Sequence, residues 1–233
     1  MMKKINFAIL NFPGTNCEHD CFHIISKVLK QNCKVIWHNE RSISKVDCVI
    51  VPGGFSYGDY LRTGSIASQS RISNNLIKFA NQGGSVIGIC NGFQILTELE
   101  LLPGTLIRNT NLKFICKDIN LKVNNNSRFT NLYNRNEVIR IPIAHAEGNY
   151  YADKKILKRL RDNNQIIFSY CNENGDLAQN SNPNGSLLNI AGVTNKKGNV
   201  IGLMPHPERV SEKIFNNIDG IRFFKSIINY HNY

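Results

Sequence analysis

Acidic side chains are scarce in this chain of 233 residues: 17 Asp and Glu stand against 28 Lys and Arg, a formal charge of +11. The excess has no focus. Lys and Arg are scattered, and no compact basic run with interleaved aromatics marks a nucleic-acid surface, so a solvated basic exterior is expected and nucleic acid is not. Long apolar runs are missing too. No stretch approaches the roughly 20 residues that a bilayer span needs, so no membrane association is expected. The apolar run Ile5 to Leu10 follows Lys3 and Lys4, but Asn6 interrupts it and it is too short for the core of a secretion signal. A paired-cysteine framework is also lacking. The seven cysteines, at 17, 21, 33, 48, 90, 116 and 171, are odd in number and irregularly spaced. These absences together imply a cytoplasmic, reduced protein. No internal repeat and no linker interrupts the chain, and residues 1–233 read as one domain able to bury its core without a metal or a disulfide.

What is present alternates. Ile5 to Leu10 is a strand stopped by Pro13-Gly14, and Cys17, Cys21, Ile24 and Val28 then recur at the spacing of one helical face. Lys34 to Trp37 and Asp47 to Val51 read as strands, the second stopped by Pro52-Gly53-Gly54. Leu61, Ile72, Leu76 and Ala80 fit a helix, Ser85 to Ile89 a fourth strand, and Phe93 to Leu99 the start of a third helix. Repeated βα units imply a doubly wound parallel sheet with helices on both faces. The second half is less regular. Leu106 to Val123 and Glu137 to Ile143 read as strands around an Asn-rich turn at Asn124 to Asn126, and a helix is expected over Lys154 to Asp162. Further strands fall at Ile166 to Tyr170, Leu187 to Val193 and Asn199 to Met204, with a polar surface loop over Asn172 to Gly185. Ile214, Ile218, Ile221, Phe224 and Ile228 mark a closing amphipathic helix.

The segment Gly88-Ile89-Cys90-Asn91-Gly92 lies between a strand and a helix and has the form Gly-x-Cys-x-Gly, the thiol counterpart of the nucleophile elbow. A sharp turn there presents the sulfur above the carboxyl edge of the sheet. The helix start favours a thiolate and supplies amides for an oxyanion. A buried structural cysteine, the usual fate of a free thiol, has no need of a glycine on each side. Met204-Pro205-His206-Pro207-Glu208 follows another strand, and its extended prolines send His206 and Glu208 to the same side, as a base and its orienter. His145-Ala146-Glu147 has the same His-x-Glu spacing, and spacing alone does not choose between the two. The Gly53-Gly54 turn, followed by Phe55, lets backbone amides approach a ligand at the carboxyl ends of the strands. Cys17, His19, Cys21 and His23 look like a zinc set at first glance. On a helix the two cysteines and the two histidines occupy opposite faces, so zinc is rejected and the cysteines are assigned to the core.

Gly-Ile-Cys-Asn-Gly-Phe-Gln at 88–94, Pro-Gly-Gly-Phe-Ser-Tyr-Gly-Asp-Tyr at 52–60, Met-Pro-His-Pro-Glu-Arg at 204–209 and Phe-Pro-Gly-Thr-Asn-Cys at 12–17 resemble the class I (triad-type) glutamine amidotransferases of purine biosynthesis. The resemblance runs from about Ile5 to Phe224. It implies a flavodoxin-like α/β sheet, mostly parallel, with an antiparallel strand extension. It implies a triad of Cys90, His206 and Glu208, an oxyanion hole from the Gly53-Gly54 loop and the Asn91 amide, and a substrate site including Phe55 and Gln94. It further implies that L-glutamine is hydrolysed through a thioester. Ammonia then passes to a large synthetase subunit that aminates formylglycinamide ribonucleotide, accompanied by a small bridging subunit. This chain has no Gly-x-x-x-x-Gly-Lys-Ser/Thr loop, so ATP and Mg belong on the synthetase and no cofactor or metal is expected here. The competing readings are a stand-alone Cys–His hydrolase of the same superfamily, such as a γ-glutamyl hydrolase or an intracellular peptidase, and an inactive amidotransferase-like binding module.

Overall fold

The structure, a computed structural model, describes residues 4–232. The first half alternates as β1 (Asn6–Asn11), α1 (Glu18–Phe22), β2 (Asn32–Trp37), β3 (Cys48–Val51), α2 (Ser65–Ser68), α3 (Arg71–Asn81), β4 (Ser85–Ile89) and α4 (Asn91–Glu98). The second half follows as β5 (Thr105–Ile107), β6 (Ile115–Val123), β7 (Val138–His145), β8 (Asn149–Tyr151), α5 (Lys154–Asp162), β9 (Ile166–Cys171), β10 (Ile190–Thr194), β11 (Val200–Leu203) and α6 (Ile221–Asn232). Nine strands form one sheet in the order β2-β1-β3-β4-β11-β10-β9-β6-β7, and β5 pairs with β8 apart from it. From β2 to β11 neighbouring strands are parallel; from β11 to β7 they are antiparallel. This is the doubly wound sheet with an antiparallel extension that the sequence and its resemblance imply.

Burial follows from the two kinds of pairing. β3 and β4 are buried at every position, because helices cover both faces of a parallel sheet. In β7 Ile139, Ile141 and Ile143 are buried while Arg140 between them is exposed, the alternation of a strand with one wet face. Helix α6 buries Phe223, Phe224, Ile227 and Ile228, and the Phe223 ring lies 6.2 Å from those of Phe129 and Phe168. Each such side chain is worth roughly 1.5–3 kcal/mol on removal from water. Among the described residues no helix is long and apolar enough to cross a membrane.

Strand order reverses between β1 and β3. The chain steps from β1 outward to β2 and from β3 the other way to β4 and β11, so right-handed crossovers send the helices to opposite faces and leave a crevice at the carboxyl ends. Segments 12–17, 52–55, 90–94 and 204–209 all leave strands at that edge. The topology thus gathers four motifs that are far apart in the chain.

Several expected boundaries differ. The strand expected over Leu106 to Val123 is two strands in different sheets, β5 and β6. Between them the buried Asn109 donates its side-chain amide to the carbonyls of Lys113 and His145, replacing a ladder with a turn. The helix placed from Leu61 begins only at Arg71, and Leu61 itself is 82% exposed with φ +62°. Ile214 and Ile218 are exposed and precede α6, which starts where Gly220 packs against Pro207. Residues 187–189 form a tight turn ahead of β10, with Leu188 and Asn189 at positive φ. After α1 the backbone continues as a π-helical turn, His23–Val28, which buries both Ile24 and Ile25 and leaves Val28 half-buried.

Candidate active site

Cys90 sits at the junction of β4 and α4 with φ +51° and ψ −106°, a backbone state that side chains rarely adopt and that usually marks function. The flanking glycines explain how the turn is tolerated. A Cβ at Gly88 would stand 2.5 Å from the Leu96 side chain and 2.8 Å from the Gly92 carbonyl, and one at Gly92 would collide with the Val51 carbonyl. Because that obstacle is backbone of a central strand, Gly92→Ala is expected to destabilise the fold by about 3 kcal/mol, read as a lower urea midpoint at unchanged slope. Among the described residues the amides of Gly54 and Asn91 donate to no backbone or side-chain acceptor, so both remain available to an oxyanion near the sulfur.

His206 leaves the end of β11 with its own amide tied to the Pro142 carbonyl at 2.9 Å. Its Nδ1 lies 2.6 Å from Glu208 Oε1, and both side chains are buried. Its Nε2 is buried and has no partner among the described residues. Gly53 marks where the groups converge. A Cβ there would stand 2.8 Å from His206 Cε1, 3.2 Å from Cys17 Sγ and 3.4 Å from Cys90 Cβ, so only glycine leaves the imidazole and thiol room to meet. Burial opposes a charge on His206. The Glu208 carboxylate and the sulfurs of Cys90 and Cys17 outweigh it, and the ring binds its proton well above the ordinary histidine range.

The competing pair lacks this arrangement. His145 Nδ1 lies 3.2 Å from Asn109 Oδ1, not from a carboxylate, and its Nε2 is buried without a partner among the described residues. Glu147 turns away to accept from the Thr63 hydroxyl and to face Arg108 at 3.5 Å. Burial, helped by the nearby His206, lowers the His145 pKa to about 4. An unfolded histidine takes up its proton near pH 6.5, so between pH 6.5 and 4 the unfolded chain binds more protons at this position than the folded one. Stability contributed here is present above pH 6.5 and falls by about 3 kcal/mol towards pH 4. His145→Gln is expected to flatten that acid limb in urea melts taken at pH 7 and pH 4.5.

A cavity of about 220 Å³ opens beside Cys90, walled by Gly54, Phe55, Gln94, Asp59, Arg108 and Glu147 among others. It places one guanidinium with two carboxylates. Burial and the Glu147 charge raise the Asp59 pKa to about 6, and its Oδ1 has no partner among the described residues. Asn91 Oδ1 accepts from the Ser56 amide and its Nδ2 donates to Gln94 Oε1, while Gln94 Nε2 donates to the Glu147 carbonyl at 2.6 Å. Gln94 therefore reaches the cavity chiefly by fixing the segment that carries Glu147. Phe55 borders the cavity half-exposed and stacks on Phe114. Asp59 lies inside the 52–60 motif, where the sequence assigns it no role, and Glu147 is read there only as a candidate orienter of His145. Nothing in the sequence points Thr63 or Arg108 at Glu147, because residues this far apart meet only once the sheet is built.

Cys17 needs correction. It precedes α1 rather than facing the core with Cys21, and its sulfur accepts from Arg209 Nη2 at 3.2 Å beside His206. His19 points to solvent and His23 binds Glu212, so the four early residues do not converge. The donor atoms of Cys17, His206 and Glu208 lie within 4.8 Å of one another. The His206–Glu208 hydrogen bond and the Arg209 cation already occupy them, and a metal would have to break both interactions.

Known proteins resemble this chain along nearly its whole length. A family model described as "CobB/CobQ-like glutamine amidotransferase domain" matches residues 4–230. The chain is 51% identical over 227 residues to phosphoribosylformylglycinamidine synthase subunit PurQ of Moorella thermoacetica, covering 97% of this chain and 96% of that one. It is 48% identical over 225 residues to the PurQ subunit of Aquifex aeolicus, covering 96% and 99%. Among solved structures, PurLQS from Thermotoga maritima contains a chain superposing with a TM-score of 0.87 at 39% identity, covering 98% of this chain and 100% of that one. A match that runs almost end to end leaves no room for one shared motif on an unrelated scaffold, and the chain belongs to the CobB/CobQ-like glutamine amidotransferase family.

Proposed function

We propose that this chain is the glutaminase subunit of a cytoplasmic phosphoribosylformylglycinamidine synthase. The carrying observation is a strained cysteine beside a buried His–Glu pair, on the wall of a cavity of amino-acid size that Arg108, Asp59 and Glu147 also line. Arg108 suits the α-carboxylate of L-glutamine and the two acidic groups suit its α-ammonium. That arrangement leaves the carboxamide beside Cys90.

The Cys90 thiolate attacks the carboxamide carbon, and the amides of Gly54 and Asn91 take the developing oxyanion. His206, held protonated by Glu208, gives its Nε2 proton to the nitrogen, and ammonia leaves a γ-glutamyl thioester. The now neutral His206 takes a proton from water, whose oxygen attacks the thioester, and glutamate leaves as the thiolate reforms. The near relatives are named as synthase subunits, and the superposable chain comes from an assembly titled PurLQS. This chain accordingly passes its ammonia to a large synthetase subunit, which carries ATP and Mg and converts formylglycinamide ribonucleotide to the amidine, with a small bridging subunit completing the complex. The test is glutamate release by the chain alone and with both subunits added. A rise of about tenfold or more on assembly is expected, since closing an active site orders it and excludes water. Full activity of the isolated chain would instead mark a stand-alone hydrolase, and no release in either state an inactive binding module.

A further inference from the structure

A cavity of about 540 Å³, more than twice the size of the one beside Cys90, lies on the antiparallel extension and shares no wall residue with the catalytic cavity. Its floor is formed where Lys122 of β6 and Ser169 of β9 stand opposite each other in register. Helix α5 contributes Leu160 and Arg161, and the rim is closed by turn residues that include Asn125, Arg135 and Leu188. The volume is that of a small-molecule site. We propose that this cavity is a second ligand site, built for a nucleoside monophosphate. Nothing in it depends on the glutamine chemistry at Cys90.

Charge selects the phosphate. Lys122, Arg135 and Arg161 line the cavity and no carboxylate does. Among the described residues none of these three makes an ion pair, whereas Arg62, Arg140 and Arg222 each lie against a carboxylate. Three unneutralised cations around one hollow repel one another. A phosphate relieves that repulsion and accepts hydrogen bonds from the guanidinium forks. The remaining walls suit a nucleobase. Asn124 spends its Nδ2 on Ser169 Oγ, and Asn125 spends its own on the carbonyls of Asn164 and Ile166. Each Oδ1 is left as an acceptor for a ring N–H or an exocyclic amino group. Leu160, Ile166, Leu177 and Leu188 supply apolar surface for the faces of a ring. Leu188 is held there against its own preference: it is 42% exposed with φ +54°, a left-handed state disfavoured for leucine. Such strain recurs at ligand clamps, and here it keeps an apolar side chain at the rim of the cavity. A sugar phosphate would leave the leucines uncovered, and a free nucleoside would leave the cations unpaired. Only a ligand with both parts answers the whole wall.

The test is equilibrium dialysis of the full chain at low salt against AMP and UMP, with adenosine, uridine and ribose 5-phosphate as the corresponding fragments. At least one nucleotide is expected to bind about tenfold or more tightly than its nucleoside and than ribose 5-phosphate, because only the whole molecule engages both kinds of wall. Arg135→Gln and Arg161→Gln, at exposed positions where the fold tolerates exchange, should each weaken that binding at least about fivefold. Arg159→Gln is the control. It removes the same charge from the same helix but lines a different hollow, so binding should hold within about twofold. No retention of either nucleotide up to about 5 mM overturns the site. Ribose 5-phosphate bound as tightly as the nucleotide overturns the ligand class. Loss from Arg159→Gln equal to that from Arg161→Gln reduces the binding to diffuse attraction by a basic surface. Binding unchanged in both Arg135→Gln and Arg161→Gln places the nucleotide elsewhere. Either result also overturns the proposal.

Discussion

Cys90→Ser is expected to lower glutamine-dependent synthesis by about 10³-fold or more while leaving synthesis from ammonium unchanged. The substitution alters one atom at a nearly enclosed position, so the fold and its thermal midpoint should be retained. The chemistry fails for a specific reason. Glu208 and the neighbouring sulfurs push the proton affinity of His206 up, so the imidazole is poised to give a proton to a leaving nitrogen beside a thiolate. A serine hydroxyl needs the reverse, a neutral imidazole ready to take a proton. The site is therefore set for sulfur and not for oxygen. Trapped thioester, read from the intact mass after mixing with glutamine, should disappear in the variant. If ammonium-dependent synthesis vanished with it, the division of labour between this chain and the synthetase would be wrong.

The features that carried most of this in the sequence are local ones. Gly88 and Gly92 announced the elbow because backbone crowding from Val51 and from the Gly92 carbonyl forbids a side chain at either position, a constraint that three residues of text can express. The continuous apolar runs of β3 and β4 announced buried parallel strands for the same kind of reason. What stayed hidden depends on distance in the chain. β5 and β6 read as one strand because apolar residues recur throughout the segment; the side chain of Asn109, which breaks them apart, makes its decisive bond to the carbonyl of residue 145. Leu61 and Ile214 continued helical periodicities yet are exposed, since periodicity records spacing and not whether anything stands opposite. Cys17 showed only its kinship with Cys21, because the imidazole and guanidinium beside it arrive from residues 206 and 209. The choice between His145 and His206 was likewise invisible in spacing. Glu147 reaches Thr63 and Arg108 while Glu208 reaches its own histidine, and only packing tells them apart.

That choice gives the second large effect. His206→Asn is expected to cut glutaminase about 10²–10⁴-fold, as loss of a general acid and base does, whereas His145→Asn should leave thioester formation within about threefold. Asparagine is preferable to alanine at 206, because removing the ring outright leaves the Glu208 carboxylate buried without a partner, and breaking such a pair costs about 3–5 kcal/mol. Ammonium-dependent synthesis by the assembled complex controls for folding in both variants. Glu208→Gln then isolates the orienter. Burial alone lowers the proton affinity of His206, and the carboxylate reverses that, so an uncharged partner should let the imidazole lose its proton at lower pH. Because proton donation to the leaving nitrogen needs imidazolium, the alkaline limb of the kcat profile should move towards neutrality while the substrate KM, which we assign to Arg108, Asp59 and Glu147 in the cavity, changes little. An unmoved limb, or a strong loss from His145→Asn with none from His206→Asn, would transfer the role to the other histidine and leave Cys90 facing a partner that no carboxylate orients.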